Sequence, residues 1–349
     1  ITAIYGGYEA SCKQHAVQSI PTDFICFTDN HTILSNNWII DTKPYHLSHS
    51  SHMDTQNKHR NYKKKSTKST TSTNISISTS TYTNSMGVNM HPFNIAKYYK
   101  QQFHLIPRLA DYEVVVWIDG SIEITDTEAA YKLYILLSDD SESESEAEAE
   151  AEPIGTTTEP PTTPTQPAKP AISGHIIAFN QTAINARDSL YSEVYHSRNY
   201  FRYCSTYWNA QLQPYQNLTL QYETYINDGY VDNGLWYTTL IGFKIKNNME
   251  STSTSTRAPS INRFTSEFLD LWYLQTLLYT TQDQVSFAYV MYKMIYNADH
   301  GGEHYKNADT DTGTGTDARD YFISLPNELI KGKYAFQQTD LYIKQPHGL

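Results

Sequence analysis

An apolar run that ends in an acid constrains the fold of this 349-residue chain more than any other feature. Residues 114–118 are β-branched or aromatic throughout, and Asp119-Gly120-Ser121 follows them directly. Such runs, without polar alternation, are typical of strands that are buried on both faces of a parallel sheet. Open α/β sheets bind their ligands at the carboxyl ends of these strands. Asp119 is therefore predicted to hold a metal, a ribose hydroxyl or an acceptor proton, unless it only caps a turn.

The composition narrows the class of partner. The formal net charge of -11 argues against nucleic acid, whose backbone needs a basic surface. No stretch approaches the roughly 18 apolar residues of a membrane span, and no signal peptide is recognisable. Because the chain begins at Ile1, inside a predicted strand, membrane contact is expected only if an N-terminal anchor has been trimmed. Three cysteines without metal-ligand spacing leave the fold to rest on its core.

Four low-complexity segments interrupt the patterned sequence. They carry too few apolar side chains to offset the entropy of ordering their backbones. Long surface insertions close at modest entropic cost, so we predict disordered insertions in a single domain that spans residues 1–349. The insertions are predicted at residues 48–90, 138–172, 250–260 and 299–317.

Strand and helix patterns alternate between these insertions. The predicted strands are residues 2–5, 24–28, 38–40, 114–118, 175–180 and 238–245. The predicted helices are residues 94–106, with Asn94 as N-cap, then 189–203, 218–227, 264–280 and 282–296. This alternation predicts an α/β fold in which helices flank a mainly parallel sheet.

Glycines and acids follow three of the predicted strands. Adjacent parallel strands end at the same edge of a sheet, so these residues should converge in one nucleotide-type cleft. Glycines at this edge would let backbone amides approach a ligand. The residues concerned are Tyr5-Gly6-Gly7, Asp29 and Asp119-Gly120-Ser121.

Two lysines and one acid in predicted helices are further candidate residues. Lys97 and Lys100 are three residues apart and share a helix face, which suits a diphosphate bridged to a carboxylate by a metal. The alternative is two solvated lysines. Asp283 lies in the first turn of a predicted helix, where it either serves a site or caps the helix. No Ser/His/Asp set, P-loop or zinc-ligand spacing is present.

The ordered motifs of the chain resemble the glycosyltransferase-like domain of unknown function 616, also described as hexosyltransferase-like. The resemblance runs from residue 2 to about residue 294. It rests on T-A-I-Y-G-G-Y at residues 2–8, I-C-F-T-D at 25–29, Trp38, W-I-D-G-S-I at 117–122, R-x-x-x-Y-x-E at 187–193 (Arg187, Tyr191, Glu193), G-Y-x-x-N-G-L at 229–235 and D-Q-x-S-F at 283–287. One departure is that residues 180–186 contain no histidine, where family members often have one.

The resemblance implies a GT-A type fold with a nucleotide-sugar cleft. Such enzymes usually carry an Asp-x-Asp motif that holds a divalent metal, Mn²⁺ or Mg²⁺, on the donor diphosphate. Ser121 stands at the second acidic position here, and a serine hydroxyl is a poorer ligand for either metal. Either Asp119 binds a metal with help from elsewhere, for which Glu123 is a candidate if the strand continues, or Lys97 and Lys100 supply the positive charge.

The resemblance further implies transfer of a hexose from a nucleotide-diphosphate sugar to a glycan, protein or lipid acceptor. The expected roles are nucleotide binding for Tyr5, Gly6, Gly7 and Asp29, diphosphate binding for Lys97 and Lys100, metal or ribose binding for Asp119 with Ser121, and catalysis for Asp283 and Glu193. Two alternatives remain open: a non-catalytic module that binds a nucleotide sugar or carbohydrate, and a hydrolase of a sugar- or lipid-linked substrate. The setting would be the Golgi lumen in a eukaryote and the cytoplasm in a bacterium.

Overall fold

The computed structural model describes residues 1–48, 92–138, 175–181, 189–198, 217–232, 234–246, 262–296, 322–325 and 342–344. Apart from residues 48 and 138, the four predicted insertions lie outside the described residues, as do Arg187 and Asn233. No helix in the described ranges is long and apolar enough to cross a membrane.

The described elements are a mixture of strands and helices. The strands are β1 (Thr2–Ile4), β2 (Ile25–Thr28), β3 (Ile39–Asp41), β4 (Val114–Ile118), β5 (Ile122–Ile124), β6 (Ile176–Asn180), β7 (Trp236–Lys244), β8 (Phe322–Leu325) and β9 (Tyr342–Lys344). The α-helices are α1 (Tyr45–Ser48), α2 (Pro92–Gln101), α3 (Ala129–Leu137), α4 (Leu190–Ser197), α5 (Leu218–Asn227), α6 (Arg263–Leu278) and α7 (Asp283–Met291). Two 3₁₀ turns follow α2 (Phe103–Leu105 and Pro107–Leu109), and a π-helical turn (Tyr292–Tyr296) extends α7.

The strands form parallel and antiparallel pairs. β1, β2 and β3 pair in parallel, in that order. A second group has the order β4-β7-β6-β8, in which β7 runs antiparallel to both neighbours and β6 pairs with β8 in parallel. β5 and β9 form a separate antiparallel pair.

Two backbone hydrogen bonds at Ile1 join the first two groups. The amino group of Ile1 donates to the Val116 carbonyl at 2.7 Å, and the Ile118 amide donates to the Ile1 carbonyl at 2.8 Å. This is the pattern of a parallel pair, so β1 lies beside β4. The strands therefore follow the order β3-β2-β1-β4-β7-β6-β8.

The sheet differs from the predicted one in the direction of β7. β4, predicted as a parallel strand, pairs antiparallel with β7, with Val116 opposite Gly242. An apolar run indicates that both faces are buried, and it carries no information about the direction of the neighbouring strand. The prediction of a mainly parallel sheet thus describes β1 to β4 and fails at β7.

Two hydrophobic cores cover the two faces of the sheet, and β4 contributes to both. Val115 and Trp117 belong to one core, whereas Val114, Val116 and Ile118 belong to the other. Successive side chains of a strand point to opposite faces, which explains this division. The first core contains most aromatic residues of α2, α6 and α7, namely Tyr98, Tyr99, Phe264, Phe268, Trp272, Tyr273, Phe287 and Tyr289.

The helix that contains Lys97 and Lys100 begins and ends earlier than predicted. The helix predicted over residues 94–106 begins at Pro92 and ends at Gln101, so Asn94 is not its N-cap. Proline is favourable in the first helical turn because its amide would have no partner there. Strand 114–118 and helix 218–227 are confirmed to the residue. Helix α3 was not predicted, although the run 129–137 is largely apolar.

Candidate functional site

The ends of β1, β2 and β4 lie together. The Gly6 amide donates to both carboxylate oxygens of Asp29, at 3.2 and 3.1 Å, which ties the turn after β1 to the end of β2. A Cβ atom at Gly120 would lie 3.2 Å from Cγ1 of Ile4, so the turn after β4 packs against β1. The three strand ends that the sequence indicated therefore form one rim.

Helix α2 begins directly over the first of these turns. Gly6 and Gly7 have φ angles of +67° and +69°, a conformation that favours glycine. A Cβ at Gly6 would lie 2.5 Å from Cγ of Pro92, whereas Gly7 has open space at the same position. The close approach at Gly6 sets where α2 starts, and α2 carries the two lysines.

Lys97, Lys100, Asp119 and Asp283 form what we call the charge cluster. The Lys100 ammonium lies 2.6 Å from Asp283 Oδ2 and 3.4 Å from Asp119 Oδ1, and the Lys97 ammonium lies 2.8 Å from Asp283 Oδ2. The side chain of Lys100 is 1% exposed, whereas that of Lys97 is 20% exposed. The formal charges of the cluster sum to zero. Lys97 is the lysine that a ligand can reach.

Asp283 is buried at the start of α7. Its Oδ1 accepts a hydrogen bond from the Thr238 hydroxyl at 3.1 Å, and its backbone carbonyl accepts one from Trp272 Nε1 at 3.0 Å. Burial by itself raises the pKa of this carboxyl, but Lys100 and Lys97 outweigh burial and lower the pKa to about 2. A carboxylate with this pKa is a weak general base at neutral pH. Its geometry suits the positioning of the two lysines.

Asp119 presents its carboxylate at the rim. Its Oδ1 accepts from Trp117 Nε1 at 2.6 Å, and the side chain is 32% exposed. Trp117 and Asp119 are two residues apart, which places both on the same face as Lys100. The Lys100 ammonium lies 5.4 and 5.7 Å from the ring centroids of Trp117 and Trp272, within the range of cation–π attraction. Neither Trp117 nor Trp272 is among the predicted site residues, although the two-residue spacing of Trp117 from Asp119 is a signal for the former.

Three other predicted site residues have buried side chains. Tyr5 stacks on Tyr99 at a centroid distance of 5.3 Å, so a ligand at this turn would meet backbone and not the phenol. The Ser121 hydroxyl is buried and has no hydrogen-bond partner within the described residues. Glu193 accepts from the Ser197 hydroxyl at 2.7 Å and from the amide group of Gln282, which precedes Asp283. Glu193 therefore holds the residue before α7 by a hydrogen bond and does not face the rim.

The donor set fits a divalent metal poorly. The described part of the chain contains no group of three His, Cys, Asp or Glu side chains that could hold a metal ion. Ser121 cannot act as the second ligand while its hydroxyl faces the interior. Glu123, the proposed helper, does not extend β4, because the chain turns where the Ile122 amide donates to the Asp119 carbonyl, and Glu123 lies in β5. Asp119 remains as the predicted metal ligand at the end of β4, and its side chain is 32% exposed.

Comparison with known proteins gives no match: no family model, no curated protein and no solved structure is significantly similar to this chain.

Proposed function

We propose that this protein is a glycosyltransferase that moves a hexose from a nucleotide-diphosphate sugar to a glycan, protein or lipid acceptor. The main support is the location of the charge cluster beside the carboxyl ends of β1 and β4. In the strand order β3-β2-β1-β4, the chain runs outwards from β1 through β2 to β3 and then crosses to the other side of β1 as β4, which is parallel to β1. Open α/β sheets bind nucleotides at such a switch point in strand order.

The residues at this rim suggest a division of labour. The turn of Gly6 and Gly7 lets a nucleotide approach the backbone, and Asp29 and Asp119 offer carboxylates to ribose or sugar hydroxyls. Lys97 offers a cation to the diphosphate, whose negative charge grows as the sugar departs. A cation placed where charge develops stabilises the transition state. Asp283 holds Lys97 and Lys100 in place.

Calorimetric titration with nucleoside diphosphates and nucleotide sugars, with and without Mn²⁺, tests this proposal. We expect one nucleotide class to bind the wild type and to bind Asp119→Ala at least about tenfold more weakly, because a hydrogen bond to a charged group is lost. Asp126→Ala is the matched control, since Asp126 pairs with Lys132 at the start of α3 and outside the charge cluster. The absence of binding by any nucleotide sugar under either condition would refute the proposal.

The burial and low pKa of Asp283 favour a second candidate function, a non-catalytic module that binds nucleotide sugars. The candidate acid/base residues Asp283 and Glu193 are both buried. A coupled assay for release of the nucleoside diphosphate, run with a panel of acceptors, separates the two functions. Turnover that requires an acceptor supports the transferase, and tight binding without turnover supports the module.

A further inference from the structure

The polar groups around Asp119 argue against a metal as the cation of this site. The Lys100 ammonium lies 3.4 Å from Asp119 Oδ1. From there it would repel a metal cation that bound to the same carboxylate. A divalent ion bound to this carboxylate would lie roughly 2.0–2.6 Å from an oxygen, and therefore within a few ångströms of the ammonium. Ser121 offers no compensating ligand because its hydroxyl is buried.

Lys97 differs from Lys100 in what it can contact. Both ammonium groups lie on Asp283 Oδ2, yet the Lys97 side chain is partly exposed and Lys100 is enclosed. If Lys97 turned towards a ligand, Asp283 would still be neutralised by Lys100 at 2.6 Å and would keep the hydrogen bond from the Thr238 hydroxyl at 3.1 Å. A ligand can thus engage Lys97 without leaving a buried charge unpaired, which would be costly.

We infer that Lys97 is the cation that faces the leaving diphosphate, and that this site binds the diphosphate without a divalent metal. The inference rests on the proposed function. Lys97 contacts the phosphate oxygens directly in this assignment, whereas Lys100 and Asp283 are positioning residues. Bond cleavage between the sugar and the diphosphate leaves the electron pair on the diphosphate oxygen, and Lys97 stabilises that charge. The acceptor oxygen forms the new bond to the sugar carbon from which the diphosphate departs, and the hydroxyl proton passes to water.

The experiment compares nucleoside-diphosphate binding in EDTA and in Mn²⁺ for the wild type and three variants. Lys97→Met removes the cation, Lys97→Arg keeps it, and Lys132→Met removes a lysine that pairs with Asp126 and does not belong to the charge cluster. We expect equal wild-type affinity in the two buffers and a loss of at least about tenfold in Lys97→Met. Lys97→Arg should retain most of the affinity and Lys132→Met all of it.

Circular dichroism and thermal unfolding establish that each variant is folded before it is titrated. Binding that requires Mn²⁺ would overturn the inference while leaving the proposed function intact, as would wild-type affinity in a folded Lys97→Met variant. The absence of nucleoside-diphosphate binding in both buffers would overturn the inference and the proposed function together. If Lys97→Met does not fold, the wild-type titrations decide: equal affinity in EDTA and in Mn²⁺ supports the inference, and metal-dependent binding overturns it.

Discussion

Lys100 is a cation that the protein interior has to neutralise. Its side chain is almost completely enclosed, and its ammonium contacts Asp283, Asp119 and the faces of two tryptophan rings. Removing two charges from water is costly, and only close pairing with further hydrogen bonds offsets the cost. The contacts of Lys100 join α2, β4 and α7, so the same residues that shape the candidate site also hold these elements together.

Asp283→Asn should destabilise the protein strongly, because the variant leaves Lys100 buried without its closest counter-charge. Breaking one partner of a buried pair typically costs about 3–5 kcal/mol of unfolding free energy. Urea unfolding of the wild type and the variant measures this loss. Asp126→Asn is the control, because its partner Lys132 is half exposed and such a pair contributes about 0–1 kcal/mol. Similar small losses in both variants would show that the charge cluster does not stabilise the fold.

The low pKa of Asp283 predicts a pH dependence with a defined direction. The folded pKa is about 2 and the ordinary value is 3.8, so the folded state holds the proton less tightly than the unfolded state. The resulting stabilisation is complete above about pH 4 and is lost as the pH falls towards 2. The difference in unfolding free energy between wild type and Asp283→Asn should therefore shrink by on the order of 2 kcal/mol over this range. A constant difference from pH 6 to pH 2.5 would contradict the shifted pKa.

The start of helix α2 packs against the turn that follows β1. The turn at Gly6 and Gly7 has two consecutive residues with positive φ, and Pro92 packs on the first of them. The two glycines differ in their surroundings, since only Gly6 has a neighbour at the position of a Cβ. A side chain at Gly7 would therefore add backbone strain alone, whereas a side chain at Gly6 would add backbone strain and a steric clash with Pro92.

Gly6→Ala should therefore cost more stability than Gly7→Ala. Both variants pay about 1–2 kcal/mol for a non-glycine residue in the left-handed region. Gly6→Ala also forces Pro92 and the start of α2 to move, which adds a further ~1–3 kcal/mol of overpacking. Chemical denaturation of the two variants measures the difference, and nucleotide titration shows whether displacement of Lys97 weakens binding. Equal losses in the two variants would mean that α2 adjusts freely.

One of the predicted insertions lies between two residues that are hydrogen-bonded to each other in the fold. The Asn262 amide donates to the Ile245 carbonyl at 2.6 Å, so the start of α6 returns to the end of β7. The low-complexity segment predicted at residues 250–260 joins these two points. Because closure entropy grows slowly with loop length, this segment is not expected to contribute to the fold.

Replacing residues 247–261 by a flexible linker of about four residues should leave the unfolding free energy within ~1 kcal/mol of wild type. The physical reason is that the hydrogen bond between Asn262 and Ile245 already brings the two ends together. Thermal or chemical unfolding measures the stability, and nucleotide titration measures the site. A larger loss of stability, or a loss of binding with stability unchanged, would show that the segment has a structural or functional role.

The amino-acid sequence by itself predicted many of the local elements of this protein and the convergence of three strand ends. Apolar runs located β1, β2 and β4, and the residues that follow them do form one rim. These features depend on neighbours in the chain, and periodicity and turn residues report them directly. The family resemblance and the function that it implies stay predictions.

Tertiary structure alone decided the direction of β7, the partners of the charges and the exposure of each site residue. Asp283 and Lys100 are 183 positions apart in the sequence, and no local pattern indicates that they form a buried ion pair. The burial of Tyr5, Ser121 and Glu193 likewise depends on elements packed from distant parts of the chain. Residue type limits the chemistry that a side chain can perform, whereas long-range packing sets its solvent exposure, its pKa and the ligand that it can reach.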